Sequence, residues 1–94
     1  MSIPILKYRQ WAKIFTKGGA TYHGRDGQGH HAWSYTPKGE DSPIMAGIAA
    51  HDDGSDVLPV YPRQARKAWK LTTKDGVSDH DFMKSNWPKD PPEA

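Results

Sequence analysis

The stretch RQWAKIFTKGG, residues 9 to 19, decides the first element of the fold. Together with Tyr8, its apolar residues Trp11, Ala12 and Phe15 recur at i, i+3, i+4 and i+7. This spacing is the period of one face of an α-helix. The stretch therefore predicts an amphipathic helix whose aromatic side chains face a core.

The ends of this helix are indicated by residues on either side of the aromatic pattern. Pro4 is compatible with a first helical turn, where its missing N–H is not needed. Gly18 and Gly19 follow Lys17, and a glycine after a basic residue is typical of a helix C-terminus. We therefore expect the helix to cover residues 4–17.

A related stretch, RKAWKLTTKDG, occurs at residues 66 to 76 and predicts a second helix over residues 62–73, opened by Pro62. Either a duplication or a coincidence between two Lys/Arg-rich amphipathic helices explains the similarity. At an offset of 57, the first stretch and its continuation match the second at Arg9/Arg66, Lys13/Lys70, Thr16/Thr73, Lys17/Lys74, Gly19/Gly76 and His23/His80.

Between these helices the pattern changes to short β-prone runs separated by Gly, Asp and Pro turns. The clearest alternation places Trp33 and Tyr35 on one face, and the third run places Ile48 opposite Met45. Pro59 predicts that the last strand lies at an edge. The runs predict a four-stranded antiparallel meander with strands near residues 20–24, 31–37, 43–50 and 57–61.

A short third helix is indicated after Ser78, which with Asp81 resembles a capping box. We expect it to pack Phe82 before Trp87 and Pro88 end it. The fold class is therefore α+β: an N-terminal helix, a four-stranded antiparallel meander, a C-terminal helix and a short third helix. Residues 1–87 are expected to form one domain, and residues 88–94 a mobile, Pro-rich acidic tail.

The composition describes a small domain with an aromatic core. Its 94 residues are 35% hydrophobic, with four Trp and four Tyr, and lack cysteine, which excludes disulfide and thiolate chemistry. Residues 1–20 lack the apolar run of a signal peptide, and the apolar run at 44–50 is too short to span a bilayer. We expect a cytoplasmic protein without membrane contact.

Charge is segregated along the chain although the net charge is only +2. Residues 1–25 and 58–74 each hold five Lys or Arg and no acid, whereas residues 26–57 hold six acids and one Lys. Each predicted helix should therefore present a cationic face, either solvated or used to bind an acidic partner. The candidate binding residues are Arg9, Lys13, Lys17, Arg25, Arg63, Arg66, Lys67, Lys70 and Lys74.

The glycine-rich segment GQGHHA, residues 27–32, lies between two predicted strands. It therefore does not have the strand–loop–helix context of a dinucleotide fingerprint. Its backbone amides, with Arg25, could instead bind a phosphate.

The segment HDDGSD, residues 51–56, is predicted to be a solvated turn. It is not a calcium-binding EF-hand loop, because the Glu required at the twelfth position of such a loop is missing. No metal or other cofactor is expected.

A ribonuclease is an alternative function. Metal-independent RNA cleavage needs a general acid, a general base and cations near the phosphate. His23, His30 and His31 lie with Arg25 around one predicted hairpin, and His51 lies in a later loop. These residues could supply that chemistry as in small toxin ribonucleases.

The leading hypothesis is a small non-enzymatic binding protein. Its two basic helices, with exposed aromatic residues of the hairpin, would dock onto a larger protein or nucleoprotein machine, as inhibitors encoded by phages or mobile elements do. A nucleic-acid-binding accessory protein that contacts the phosphate backbone, and a self-assembling structural protein, remain as alternatives. The sequence does not determine an oligomeric state.

Overall fold

The computed structural model describes residues 3–88 and has an α+β fold. Its helices are α1 (Tyr8–Gly18), α2 (Val60–Ala68) and α3 (Asp79–Met83), with a single 3-10 turn at Thr73–Asp75. Its strands are β1 (Leu6–Lys7), β2 (Thr21–Arg25), β3 (His30–Tyr35), β4 (Ile44–Ala49) and β5 (Asp56–Val57). Apart from Pro88, the predicted tail lies outside the described residues.

The strands form two antiparallel sheets and not one four-stranded meander. Strands β2, β3 and β4 are adjacent in that order, whereas β5 pairs with β1 through Leu6 and Val57. The predicted fourth strand, 57–61, is shortened to β5 and retains only Val57, because Pro59 has helical φ and ψ of −57° and −21° and caps α2, so Val60 and Tyr61 are helical. The first three predicted strands are confirmed in position, with boundaries differing by one to two residues.

The start of α1 also differs from the prediction, because the chain before Tyr8 is extended and includes β1. The helix begins where Lys7 N–H donates to Gln10 Oε1 at 2.9 Å and Tyr8 N–H donates to the Ser55 carbonyl at 2.9 Å. The extended arm brings Ile3 into the core, where it is buried. At the other end, Gly19 has a left-handed φ of 108°, which confirms the predicted stop.

Helix α2 starts earlier and ends earlier than predicted. Pro62 falls within its first turn, as expected, but the helix ends at Ala68. Lys70 has a φ of 55°, which turns the chain away from the helix axis. Lys74 consequently lies in the 3-10 turn and not on α2. Helix α3 is confirmed, with Ser78 Oγ accepting the Asp81 N–H at 3.0 Å.

The core is a cluster of aromatic side chains contributed by every helix and by β3. Trp11, Phe15, Trp69 and Phe82 have no exposed surface. Ring pairs such as Phe15 and Trp69, 5.1 Å apart at 73°, pack edge to face, an arrangement that aromatic rings favour. The same cluster packs Phe15 of α1 against Trp33 of β3, and Trp69, which follows α2, against Tyr35 of β3.

Candidate functional site: a cationic groove beside α1

The three cations predicted on α1 share one solvent-exposed stripe. Arg9, Lys13 and Lys17 recur every four residues and are exposed, whereas Trp11 and Phe15 on the other side of α1 are buried. The helical period of the sequence produces this separation. The predicted basic ridge of α1 is therefore present in the structure.

This stripe borders a groove between α1 and the segment that ends α3. We call it the cationic groove; its volume is about 410 Å³. Its charged residues are the three α1 cations and Lys84, and none of the residues lining it is acidic. Its lining residues are Leu6, Arg9, Gln10, Lys13, Ile14, Lys17, Met83, Lys84 and Ser85. Apolar and cationic surfaces thus meet in one recess.

The far wall of the groove is held by a contact that sequence patterns did not indicate. Ser85 adopts a left-handed φ of 63°, and its Oγ donates to the Ile14 carbonyl at 2.7 Å. This bond brings Met83 and Lys84 against α1, although they lie about seventy positions away along the chain. Lys84 was missed because the sequence gives no signal for which helix α3 packs against.

The groove cations are available to a partner. In the described part of the chain, Arg9, Lys13, Lys17 and Lys84 form no ion pair and no side-chain hydrogen bond. The first amides of α1 donate to main-chain carbonyls, with Arg9 N–H donating to the Asp53 carbonyl at 3.1 Å, and this bond does not involve the Asp53 carboxylate. No carboxylate among residues 3–88 pairs with the groove cations.

Arg66 does not belong to a solvent-exposed cationic face. The residue is 7% exposed, and its guanidinium donates to the carbonyls of Leu71 and Val77 and to the Asp79 carboxylate. The expectation that it faces solvent is wrong, because α2 ends at Ala68 and the following turn folds over this side chain. Arg66 is a core residue of the fold.

The remaining cations predicted for α2 are dispersed. Arg63 and Lys67 are exposed on the helix, but Lys70 pairs with Glu40 at 2.7 Å, and hydrogen bonding to Glu40 raises the pKa of Lys70. Lys74 lies next to Asp75 in the 3-10 turn. None of these residues lines the cationic groove. Of the cations predicted on α2, Arg63 and Lys67 alone remain exposed on the helix without an ion pair among residues 3–88, so the predicted cationic face of α2 is reduced to two residues.

The hairpin histidines divide between two environments. His31 is buried, stacks on Tyr8 at 4.1 Å and bonds through Nδ1 to Tyr22 Oη at 2.8 Å. Burial lowers the pKa of His31, and the positive charge of Arg25 lowers it further. His23 bonds to Ser34 Oγ at 2.7 Å. His31 is therefore part of the packed interior, whereas His23 is exposed and is held by one hydrogen bond.

A second cavity lies at the tip of the hairpin and has a volume of about 620 Å³. Arg25, His30, His51, Leu58 and Tyr61 line it, and we call it the histidine cavity. The Arg25 guanidinium donates to the His51 carbonyl. Of the histidines considered for RNA cleavage, His30 and His51 are brought to one cavity with Arg25.

The glycine-rich loop of this hairpin does not present a free anion nest. Asp26 Oδ1 accepts the N–H groups of Gln28 and His30 at 2.8 and 3.0 Å, and the Gly29 N–H donates to the Asp26 carbonyl at 3.1 Å. These hydrogen bonds lower the pKa of Asp26. The amides of Gln28, Gly29 and His30 thus bind the chain's own Asp26 and are not available to a phosphate.

The acidic segment HDDGSD forms a closed turn. Asp52 Oδ1 accepts from the Gly54 N–H and from Ser55 Oγ, at 2.9 and 3.1 Å. Among residues 3–88 there is no group of three or more His, Asp or Glu arranged to hold a metal ion. Every helix in this part of the chain is also too short or too polar to cross a bilayer.

Comparisons with models of known protein families, with curated proteins and with solved structures found no match for this chain. The inference of function consequently rests on the geometry and charge of the two cavities.

Proposed function

We propose that this protein is a non-enzymatic binding module that docks through its cationic groove onto an acidic segment of a larger protein. The observation that carries the proposal is the combination of four cations that form no ion pair within residues 3–88 with an apolar floor of Leu6, Ile14 and Met83. An acidic amphipathic helix matches this combination, because its apolar side fills the floor while its carboxylates meet the rim.

A protein partner is favoured over a nucleic acid by the recessed apolar floor. A phosphate backbone presents charge but no apolar surface to fill a groove. The net charge of +2 is also small for a nucleic-acid binder, and Glu40, Asp41 and Asp52 are exposed elsewhere on the molecule. A cytoplasmic location and an inhibitory mode of action, in which the module occupies a surface of its partner, belong to the same proposal.

The test uses a labelled acidic amphipathic helical peptide and a labelled duplex DNA, with affinity measured by fluorescence anisotropy. The double variant Lys13→Glu/Lys17→Glu should weaken peptide binding by about tenfold or more, since it reverses charge at the rim. The matched control Arg63→Glu/Lys67→Glu makes the same charge change on α2 and should leave peptide binding nearly unchanged. Equal losses in both variants would indicate nonspecific attraction and contradict the proposal.

A substitution in the apolar floor distinguishes peptide binding from DNA binding. Met83→Gln should weaken peptide binding while leaving any DNA binding unaffected, because only the peptide uses the floor. Duplex DNA that binds more tightly than the peptide, with a steep salt dependence, would instead support the nucleic-acid accessory function.

The ribonuclease alternative now depends on His30 and His51. His31 is buried and His23 does not line the cavity that holds Arg25, so general acid and base roles would fall to His30 and His51 of that cavity. Incubation with RNA in the presence of a chelator tests this alternative. Cleavage that is lost in both His30→Ala and His51→Ala would support it, and intact RNA would exclude it.

A further inference from the structure

The histidine cavity is separate from the cationic groove and plays no part in the proposed docking. It lies between the β2–β3 loop, the end of β4 and the start of α2. Its volume of about 620 Å³ is in the range of small-molecule sites, which run from roughly 300 to 1,000 Å³. Its lining combines rings and apolar side chains with Arg25 and the carboxylates of Asp26 and Asp56.

The charges around this cavity leave Arg25 without a neutralising partner. Asp56 pairs with Lys7 at 2.8 Å, and the Asp26 carboxylate is bound by loop amides. Arg25 has no ion pair among residues 3–88, and its bond to the His51 carbonyl uses one of its terminal nitrogens. The other donors of a guanidinium fork remain able to bind an anion bidentately.

Rings and apolar side chains also line the cavity. The rings of His30 and Tyr61 lie 6.3 Å apart at 55°, and Tyr61 is only partly buried. Leu58 beside them is 60% exposed, a large fraction for a leucine. Accessible ring faces next to apolar surface stabilise flat heteroaromatic groups by stacking, as in proteins that bind single-stranded nucleic acids.

We propose that the histidine cavity binds a nucleotide unit, with the base against Tyr61 and His30 and the phosphate on Arg25. A nucleotide joins a flat ring to a dianion, the two features that this lining matches. The same chemistry is present in a free mononucleotide and in the end of a single-stranded nucleic acid. The proposal requires no bond cleavage and does not depend on the groove.

The experiment titrates the wild-type protein with the four nucleoside 5′-monophosphates, with the nucleosides and with inorganic phosphate, followed by two-dimensional NMR. We expect at least one monophosphate to shift the resonances of Tyr61 and His30, with about tenfold higher affinity than its nucleoside or phosphate alone. Phosphate that binds as tightly as every nucleotide would overturn the proposal, because the rings would then contribute nothing. An absence of shifts with all nucleotides and oligonucleotides would also overturn it.

Two variants separate the base contact from the phosphate contact. Tyr61→Leu and Arg25→Gln should each weaken nucleotide binding by about tenfold, whereas Arg63→Gln, which removes an exposed cation outside the cavity, should not. Arg25→Gln also removes the hydrogen bond to the His51 carbonyl and could disturb the loop. Tyr61→Leu leaves that bond in place and therefore tests the proposal independently. Unchanged affinity in Tyr61→Leu would contradict the base contact and with it the proposal.

Short single-stranded oligonucleotides identify the source of the nucleotide. Binding of free monophosphates indicates a small-molecule ligand, whereas binding only of oligonucleotides indicates a strand end; both support the nucleotide chemistry. The groove variant Lys13→Glu/Lys17→Glu should retain nucleotide binding. The peptide and nucleotide titrations therefore test the two proposals independently, and either proposal can fail without the other.

Discussion

Arg66 Nη1 donates to Asp79 Oδ1 at 3.0 Å and joins α2 to α3. The same guanidinium donates through Nε to the Leu71 carbonyl at 2.7 Å and through Nη2 to the Val77 carbonyl at 2.9 Å. It also lies 5.0 Å from the centre of the Phe82 ring. One buried side chain therefore holds the turn between α2 and α3 in place.

Arg66→Ala should lower the free energy of unfolding by about 2–4 kcal/mol. The substitution leaves buried carbonyls without donors and removes the cation paired with Asp79. Arg66→Lys should also destabilise, because a single ammonium group does not reproduce a planar fork of donors. Chemical denaturation followed by tryptophan fluorescence measures both effects.

Lys67→Ala is the matched control, because Lys67 is adjacent, equally charged and exposed. Its unfolding free energy should change by less than about 0.5 kcal/mol. If Arg66→Ala and Lys67→Ala were equally stable, the hydrogen bonds of Arg66 would have no energetic role. A charge reversal that includes Arg66 is consequently unsuitable as a surface test of binding.

Gly18 and Trp87 are in close contact, and we expect Gly18→Ala to destabilise the fold. A Cβ at position 18 would lie 2.7 Å from Trp87 Cε2, well inside normal contact distance. Trp87 is 4% exposed and stacks on Phe82 with an interplanar angle of 6°, so it has little room to move. The loss should be about 1–3 kcal/mol.

Gly27→Ala is the control for this substitution, since a Cβ there meets nothing within 4 Å. It should be neutral or slightly stabilising, because alanine reduces the freedom of the unfolded chain. Thermal unfolding of both variants gives the comparison. A midpoint for Gly18→Ala equal to that of Gly27→Ala would show that Trp87 repacks without loss.

Local sequence signals predicted the elements whose cause is local. The aromatic spacing of α1, the glycine stop after Lys17 and the Ser78 cap of α3 all depend on neighbouring residues, and all are present. Pairing of β5 with β1 was missed because it joins Leu6 to Val57, far apart in the chain. Two-residue strands carry no periodic signal that could reveal such a partner.

In the candidate site, too, features with a local cause were predicted and features that depend on tertiary contacts were missed. The cations of α1 were found because helical spacing alone places them on one stripe. Arg66 was misplaced because its burial depends on the turn after Ala68, which begins at a lysine with positive φ. A left-handed conformation is uncommon for lysine, so nothing in the sequence marked this turn. Lys84 entered the groove through a tertiary bond of Ser85.

His31 should make the fold less stable as the pH falls below the ordinary histidine pKa of 6.5. Burial lowers its pKa in the folded state below the ordinary value of 6.5. The unfolded chain therefore takes up the proton first, and stability present above that value is lost as the pH falls through the folded pKa. The lowered pKa values of Asp26 and Asp75 act only in more acidic solution.

His31→Gln should reduce this pH dependence, although it also loses the ring stacking on Tyr8. The quantity to compare is the difference in unfolding free energy between about pH 7 and pH 5. His80→Gln, which changes a histidine with an exposed side chain, is the control and should keep the wild-type difference. A wild-type difference that persists in His31→Gln would assign the effect to other groups.

Tyr8 should titrate at unusually high pH and weaken the fold in alkaline solution. Burial raises its pKa from 10.0 to about 12, and its Oη accepts the Trp33 Nε1–H at 3.2 Å. The folded state thus retains a proton that the unfolded chain releases, so stability is complete below about pH 10 and declines as the pH rises toward 12. Tyr8→Phe should remove the tyrosinate absorbance that appears last in an alkaline titration. It should also lower the free energy of unfolding by about 1–3 kcal/mol at neutral pH, since it leaves the Trp33 donor buried and unbonded.

Tyr61→Phe is the control, because it alters a partly exposed ring in the histidine cavity. It should leave the late absorbance step in place. If that step survived in Tyr8→Phe, its assignment to Tyr8 would be incorrect.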